Sequence, residues 1–376
     1  MGDNSMYMDN FTHWNFELVD FMEDLVRVFD KTGLIVYTNS SMKKFLENEE
    51  GKFCLFSEDN SDKDDRVFSS LKCVAPIGCR DDVTTELLSV GGRDFFVKSS
   101  PIFNSNNEYW GCIEVFRDIT DVNKLQNDLI KYQKMIKNDM LTASDIQKSL
   151  LSKLNHIDGL SLEYKYISSE QLSGDFFDVI ELPNDKVCVY MADVMGHGIS
   201  ASMITMFIRF SVRMLVYGRK IEYPREILTA LSREFSKLNL EMYFTIFLGI
   251  YNKNTCEFEY SNAGHNSIPI LFNKNKNLRL ELSGLPISWL FQDSGYSVGK
   301  VKLCHGDCLL FYTDGLTETK NENREEYGEE RFFNAVDKYK NSLLDRELLD
   351  KLVEGVSEFR YGVQEDDIAL LSMRVL

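Results

Sequence analysis

The chain contains 376 residues, of which 59 are acidic and 42 are basic, so its formal net charge is −17 at pH 7. This acidic balance argues against nucleic acid or an anionic membrane as the main partner. Hydrophobic residues make up 44% of the chain, enough for packed cores, and the length predicts two or three domains. No apolar run in the sequence approaches the roughly 18 to 20 residues of a membrane span.

Eight cysteines are scattered along the chain, several of them in apolar, strand-like runs. We find no signal-peptide pattern. Both observations predict a reducing, cytoplasmic location with buried free thiols. Cys304, His305 and Cys308 make up half of a possible zinc site, but no second pair accompanies them, so a packed strand is the favoured interpretation.

The first segment contains two predicted hairpins. Residues 26–39 have the pattern of a strand, a tight turn and a second strand, and a short helix follows at residues 40–46. A second hairpin is predicted at residues 95–116, and the closing sequence Arg117-Asp118-Ile119-Thr120 leads into a helix. These features resemble a PAS domain over residues 16–120.

The PAS resemblance implies a sensor that binds a small ligand, a cofactor or a partner in or on a curved sheet. The sequence leaves the ligand unknown. His13 is the only histidine before residue 150, and the residues around Cys54 match the flavin-binding motif of light-sensing relatives poorly. A structural dimerisation domain without a ligand is the alternative. Residues 1–15 are polar and are predicted to be a flexible N-terminus.

Residues 121–150 are predicted to form a linker helix with one apolar seam. Two series of residues recur at intervals of seven, and the second series follows the first by three positions: Val122, Leu129, Ile136, Ala143 and Leu150, then Leu125, Tyr132, Asp139 and Ile146. Such a seam predicts a parallel coiled-coil homodimer, and packing against the chain's own second domain is the alternative. Asp139 would weaken the coiled coil locally, and such a weak point fits a helix that transmits a signal better than a rigid spacer.

In residues 151–376, carboxylates recur at the ends of apolar strands: Asp175, Asp193, Asp314 and Asp366. Asp193 taken alone could be an ordinary helix cap. Four such groups brought together would repel one another unless divalent cations neutralised them, and oxygen-only ligands favour Mg²⁺ or Mn²⁺ over zinc. Two such ions about 3.5–4 Å apart can activate a water molecule for in-line attack on phosphorus. We also expect Asp175 and Asp178 to share one face of their strand.

Five motifs occur in this domain in a fixed order: Ser173-Gly174-Asp175-Phe176-Phe177-Asp178, Ala192-Asp193-Val194-Met195-Gly196-His197-Gly198, Asn262-Ala263-Gly264-His265-Asn266, Tyr312-Thr313-Asp314-Gly315-Leu316-Thr317-Glu318 and Glu365-Asp366-Asp367-Ile368-Ala369-Leu370. Together they resemble the SpoIIE-type bacterial branch of the metal-dependent (type-2C, PPM) serine/threonine phosphatases, over residues 140–376. The resemblance implies an α-β-β-α sandwich, which makes the expected fold class of the chain α+β.

The same resemblance implies a set of metal ligands and a substrate. Asp175 and Asp193, with the backbone carbonyl of Val194, would hold one Mn²⁺ or Mg²⁺ ion. Asp193, Asp314 and Asp366 would hold the other. The implied reaction removes phosphate from a phosphoserine on an anti-sigma-factor antagonist of the STAS type, in a partner-switching pathway. The alternatives are an inactive pseudophosphatase that acts as a binding module, and a phosphatase for a small molecule.

Two departures from the family pattern lie outside the implied ligands, because Ser152 and Ser267 occupy positions where relatives carry proline. The sequence also shows no clear arginine at the position that binds phosphate in eukaryotic relatives, so the metals would have to carry substrate binding. His197 and His265 could act as acids, and we favour packing or hydrogen-bonding roles near the site for both.

Overall fold

The computed structural model describes residues 18–31, 35–48, 82–151, 157–169, 171–291, 295–340 and 345–376. The chain divides into two compact units, with the boundary between Met135 and Ile136. The predictions made for the flexible N-terminus at residues 1–15, for Cys54 and for Ser152 lie outside the described residues.

The first unit is built on an antiparallel sheet of five strands in the order β2-β1-β5-β4-β3. Its elements are β1 (Leu25–Asp30), β2 (Ile35–Thr38), α1 (Ser40–Asn48), β3 (Thr84–Val90), β4 (Arg93–Phe103) and β5 (Tyr109–Asp118), followed by α2 (Thr120–Leu151). Both predicted hairpins are confirmed, since β1 pairs with β2 and β4 pairs with β5. Strand β3 was not predicted, and the PAS assignment stays a prediction.

The start of α2 is tied to the sheet by side-chain hydrogen bonds. The backbone N–H of Thr120 donates to Oδ1 of Asp118 over 2.9 Å, and the Thr120 hydroxyl accepts from the backbone N–H of Asp94 over 2.8 Å. Nδ2 of Asn123 donates to the Asp94 carboxylate over 3.0 Å. These contacts satisfy helix N-terminal groups and explain why the chain passes directly from β5 into a helix.

Helix α2 exposes most of its predicted seam. Six of the apolar seam residues are each more than half exposed: Val122, Leu125, Leu129, Tyr132, Ile136 and Ile146. In the last turns a different face is buried in the second unit, through Ser144 and Gln147. The uninterrupted helix is therefore confirmed, while the coiled coil stays a prediction.

The second unit contains two sheets, in the orders β14-β10-β9-β8-β7, with β13 paired to β9, and β12-β11-β15-β16-β6. Its strands and helices are β6 (Leu160–Ile167), β7 (Asp175–Leu182), β8 (Lys186–Val194), α3 (Ile199–Arg213), α4 (Pro224–Ser236), β9 (Tyr243–Asn252), β10 (Glu257–Ala263), β11 (Ile270–Asn273), β12 (Lys276–Arg279), β13 (Ile287–Ser288), β14 (Gly299–Lys302), β15 (Cys308–Tyr312), α5 (Glu329–Tyr339), α6 (Asp345–Phe359) and β16 (Ile368–Val375).

Alternation along β15 shows how the layers stack. Leu309 and Phe311 belong to the core that joins the two sheets and includes α3 and α4. Leu310 and Tyr312, which point the other way, pack with the apolar residues of α5 and α6. The result is four layers, helices–sheet–sheet–helices, as predicted.

One helical stretch of the described residues, Ile199–Gly218, is long and apolar enough to be a candidate membrane span, which the sequence reading did not anticipate. Half of its most apolar window is buried inside the unit. Ile204, Ile208, Val212 and Leu215 lie in the main core, so the composition of this stretch is that of a core helix.

Candidate active site

The four predicted aspartates come together at one end of the two sheets. Asp175 begins β7 and pairs in register with Asp193 of β8. Asp314 follows β15, and Asp366 precedes β16, its antiparallel neighbour. Strand β16 begins at Ile368, so Asp366 and Asp367 lie in the loop before it. The sequence interpretation, which placed Asp366 at the end of the strand itself, is corrected in this respect.

Burial and mutual repulsion raise the pKa of every carboxyl in this cluster. Burial, followed by the charges of Asp314 and Asp366, raises the pKa of Asp193 to about 8. Burial and the neighbouring Asp366 raise the pKa of Asp314 to about 6. The pKa of the fully buried Asp175 is well above its usual range, through burial and the charge of Asp193, and burial also raises the pKa of Asp366. Among the described residues, the positive charges near the cluster do not offset the repulsion between its carboxylates.

The donor set of the cluster fits hard divalent cations. All four side chains offer oxygen, and Oδ2 of Asp175 is buried and accepts no hydrogen bond from the described residues. Within those same residues, no three Asp, Glu, His or Cys side chains lie close enough together to hold a metal ion as they stand.

The backbone around Gly174 packs directly on the loop that follows β8. The N–H of Val194 donates to the carbonyl of Gly174 over 3.1 Å. A Cβ on Gly174 would lie 2.8 Å from the carbonyl oxygen of Val194 and 2.9 Å from that of Gly196. Only glycine allows this approach, which places the Val194 carbonyl beside the Asp175–Asp193 pair.

Asp367 is buried and holds the loop that precedes Asp175. Its Oδ1 accepts hydrogen bonds from the N–H of Ser169 over 2.7 Å and from the Ser169 hydroxyl over 3.0 Å. Its Oδ2 accepts one from the N–H of Gly174 over 3.2 Å. In the sequence Asp367 is only one member of the last acidic motif, next to the proposed ligand Asp366. Its function in fixing the loop depends on contacts across about 200 residues, for which the sequence has no local signal.

The prediction that Asp175 and Asp178 share a face is wrong, because the two residues are three positions apart in a regular strand. Asp178 points to α3, where Nε and Nη2 of Arg213 donate to its carboxylate over 2.8 and 3.0 Å. Arg209 lies 3.5 Å from the same carboxylate. Asp178 therefore anchors α3 to the sheet and takes no part in the cluster.

His265 connects the two sheets beneath the cluster. Its Nε2 lies 3.3 Å from the carbonyl oxygen of Tyr312, so Nε2 carries the proton. Its Nδ1 then accepts from the Thr245 hydroxyl over 3.0 Å. Thr245 pairs in register with Asp193, and Tyr312 lies two residues before Asp314. His265 is thus a buried structural residue, as the sequence interpretation favoured.

Titration of His265 should make the fold sensitive to acid. Burial lowers its pKa from 6.5 to about 4, so the unfolded chain takes up this proton first as the pH falls. The stability that the neutral, buried His265 contributes is fully present above pH 6.5. About 3 kcal/mol of the free energy of unfolding is lost between pH 6.5 and 4. Urea unfolding of the wild type and of His265→Gln across this range measures it. The difference in the free energy of unfolding between the two proteins should shrink as the pH falls. If this difference is the same at every pH, the lowered pKa of His265 is contradicted.

Gln147 attaches the end of α2 to the same region. Its Nε2 donates to the carbonyl of Ser173 over 2.9 Å and to the Thr205 hydroxyl of α3 over 3.2 Å. Its Oε1 accepts from the N–H of Ser173 over 3.2 Å. The buried amide therefore contacts the chain two residues before Asp175. Gln147 lies outside both heptad series, so the seam pattern gave no sign of its contact.

Residues 183–376, slightly more than half of the chain, match the family model described as stage II sporulation protein E (SpoIIE). The chain is 28% identical over 196 residues to phosphoserine phosphatase RsbU of Bacillus subtilis, covering 51% of this chain and 57% of RsbU. It is 26% identical over 190 residues to phosphoserine phosphatase RsbP of the same organism, covering 48% and 46% of the two chains. The chain thus spans about half the length of these relatives.

Two solved structures have a similar fold. The SiaA-PP2C domain of Pseudomonas aeruginosa superposes with a TM-score of 0.56 at 21% identity, covering 65% of this chain and 99% of that domain. The RsbU and RsbW domains of Rv1364c from Mycobacterium tuberculosis give a TM-score of 0.51 at 25% identity, covering 58% and 60%. The family match agrees with the five sequence motifs, and the two similar structures agree with the four-layer fold. The chain therefore belongs to the SpoIIE family, and its second unit is a SpoIIE-type PP2C phosphatase domain.

Proposed function

We propose that this chain is a signal-regulated, metal-dependent protein serine phosphatase. The observation that carries the proposal is the cluster of four like-charged carboxylates at the end of the sandwich, which range from the buried Asp175 to the exposed Asp366 and each have a raised pKa. Such a cluster is costly to a fold unless cations complete it. The similarity to two relatives named phosphoserine phosphatases supports phosphoserine as the substrate group.

In this proposal Asp175, Asp193 and the carbonyl of Val194 would hold one Mn²⁺ or Mg²⁺ ion, and Asp193, Asp314 and Asp366 would hold the other. When bound, such ions supply the positive charge that activates water and stabilises the phosphoryl group during attack. The chain's own residues fix the geometry. Val194 and its neighbours are held by the close contact with Gly174, and burial excludes bulk water from Asp175.

We further propose that the substrate is a phosphorylated anti-sigma-factor antagonist of the STAS type, acting in a partner-switching pathway in the cytoplasm. The first unit would be a PAS-type sensor, and its five-stranded antiparallel sheet supports this. The helix α2 would transmit the signal, and the contact of Gln147 with Ser173 and Thr205 supports that role. The ligand of the sensor stays unassigned.

Hydrolysis of p-nitrophenyl phosphate by the full chain tests the reaction. We expect turnover with millimolar Mn²⁺, none with EDTA, and recovery when Mn²⁺ is restored. A phosphoserine STAS protein should be dephosphorylated under the same conditions. If Mn²⁺ supports neither reaction but the STAS protein binds, the alternative of a binding module would replace the proposal. Among the described residues, no three acidic, His or Cys side chains form a preformed ion site, and this observation favours the alternative.

Dimerisation through the exposed seam of α2 has a separate test. Leu129 is 62% exposed, and Lys in its place should disrupt a coiled-coil dimer because a charge would enter the apolar seam. Light scattering after size exclusion should show a dimer for the wild type and a monomer for Leu129→Lys. The matched control, Asn127→Lys, adds the same charge off the seam and should stay dimeric. A wild-type monomer at micromolar concentration would refute the proposed dimer.

A further inference from the structure

Asp366 lies in the irregular segment that joins α6 to β16. Helix α6 ends at Phe359 and β16 begins at Ile368, so the residues between them are held by neither a helix nor a strand. Asp366 is exposed, and its Oδ1 accepts from the N–H of Asp367 over 2.7 Å. A proposed ligand in such a segment depends on further contacts to fix its backbone.

The side chain of Gln364 supplies such contacts. Its Nε2 donates to the carbonyl of Asp366 over 2.7 Å and to the carbonyl of Ile167 over 3.2 Å. Ile167 is the last residue of β6 and pairs in register with Ile368, the first residue of β16. The amide therefore connects the backbone of Asp366 to the end of this strand pair.

Arg360 fixes the orientation of the Gln364 amide. It is the first residue after α6, and its own N–H donates to the carbonyl of Val356, which continues the helical hydrogen bonding by one residue. Its Nη1 donates to Oε1 of Gln364 over 3.0 Å. A guanidinium group only donates and a carbonyl oxygen only accepts. The amide can therefore satisfy all three partners in one orientation alone, with its oxygen toward Arg360 and its nitrogen toward the two carbonyls.

Few side chains could replace Gln364 here, because its position requires one acceptor and two donors on a chain of this length. A Glu carboxylate could accept from Arg360 but would place its second oxygen against two carbonyl oxygens. An apolar side chain of the same size would leave all three partners without this contact. The three hydrogen bonds are partly open to water, so we expect their main effect to be the geometry that they fix together.

We infer that Gln364 is a positioning residue for Asp366 and thereby sets the affinity of the site for a divalent cation. The inference rests on the proposed function, in which Asp366 is a ligand of the second ion. Gln364 acts through the backbone carbonyl of Asp366 and not through its carboxylate. Its loss should therefore change how often the carboxylate adopts the ligand geometry, while the set of ligands stays the same. Side chains that support metal ligands in this way typically contribute about 10- to 100-fold to metal affinity.

The test compares the full-length wild type with Gln364→Met, which keeps the size of the side chain and removes its amide. Titration calorimetry with Mn²⁺ should show binding weakened by about tenfold in the variant. In EDTA, hydrogen–deuterium exchange of the backbone N–H groups in residues 360–368 should be faster in the variant, because the segment has lost an anchor. Neither measurement depends on turnover, and the second needs no metal.

Arg374→Lys is the matched control, because it loosens the opposite end of β16 and keeps the charge. Arg374 donates to the carboxylate of Asp345 over 2.8 Å and to the carbonyl of Gly306 over 2.9 Å, and Lys cannot reproduce this fork geometry. The control should lower the melting temperature. It should leave Mn²⁺ affinity and the exchange of residues 360–368 unchanged.

The outcomes separate this inference from the proposed function. Equal Mn²⁺ affinity or equal exchange in wild type and Gln364→Met would overturn the inference alone, and so would an equal loss of Mn²⁺ affinity in Arg374→Lys. A wild type that binds no Mn²⁺ would overturn both. If Gln364→Met gives the expected results but wild type with Mn²⁺ never hydrolyses p-nitrophenyl phosphate, the phosphatase proposal fails and the positioning of Asp366 by Gln364 stands.

Discussion

Replacing Asp193 with Asn is expected to lower Mn²⁺-dependent hydrolysis of p-nitrophenyl phosphate by about a thousandfold or more, because this residue would bridge both ions. The same change should stabilise the metal-free protein. The pKa of Asp193 is raised from 3.8 to about 8, so the folded state holds this proton more tightly than the unfolded state. The cost to stability therefore grows as the pH rises from about 4 to about 8, and Asn removes it.

Thermal unfolding in EDTA measures this second effect. At pH 8, Asp193→Asn should melt at least about 3 °C above the wild type, and the gap should narrow toward pH 5. Added Mn²⁺ should raise the melting temperature of the wild type and leave that of the variant nearly unchanged. Asp128→Asn, an exposed substitution on α2, is the control for a changed net charge. If Asp193→Asn is less stable than wild type in EDTA at pH 8, the ionised Asp193 does not destabilise the metal-free fold, and the prediction fails.

Replacing Asp367 with Asn should weaken metal activation although this side chain is not a proposed ligand. Asn can still accept from Ser169, but its amide would place a donor against the N–H of Gly174, where the carboxylate now accepts. We expect the Mn²⁺ concentration for half-maximal activity to rise about 10- to 100-fold, as for other residues that position metal ligands. The free energy of unfolding should fall by about 1 to 3 kcal/mol.

The distinguishing measurement is activity across a Mn²⁺ titration. A positioning residue should leave the rate at saturating Mn²⁺ within a few-fold of wild type, whereas loss of a ligand would not be rescued. Asp350→Asn is a suitable control, because it removes a half-exposed carboxylate whose ion pair with Lys165 contributes little. If Asp367→Asn and wild type have the same Mn²⁺ dependence, the hydrogen bonds to Ser169 and Gly174 do not determine the geometry of the cluster.

The sequence predicted several strands and helices of the second unit, because apolar runs there end at acidic motifs and glycines, but it did not predict the short strands β11, β12, β13 and β14. Asp175, Asp193, Asp314 and Asp366 do lie near one another in the structure, and their assignment as metal ligands stays a prediction. The prediction for Asp178 was wrong for a simple reason of strand geometry. A spacing of three residues puts two side chains on opposite faces, and Asp178 accordingly anchors α3 through Arg213.

The residues that the sequence could not identify act through long-range contacts. Asp367 is hydrogen-bonded to Ser169, 198 positions away, and Gln147 contacts Ser173, 26 positions away. A polar residue has the same local pattern whether it lies in solvent or holds a buried loop.

Two buried cysteines have a practical consequence. Cys188 lies in β8 of one sheet and Cys308 lies in β15 of the other, and burial raises the pKa of both thiols. Neither can react with an alkylating reagent until its own strand is exposed, because only the thiolate is a good nucleophile. Each sheet therefore contains a natural chemical reporter. Mass spectrometry of the two alkylated peptides over time would show whether the halves of the sandwich open together or one after the other.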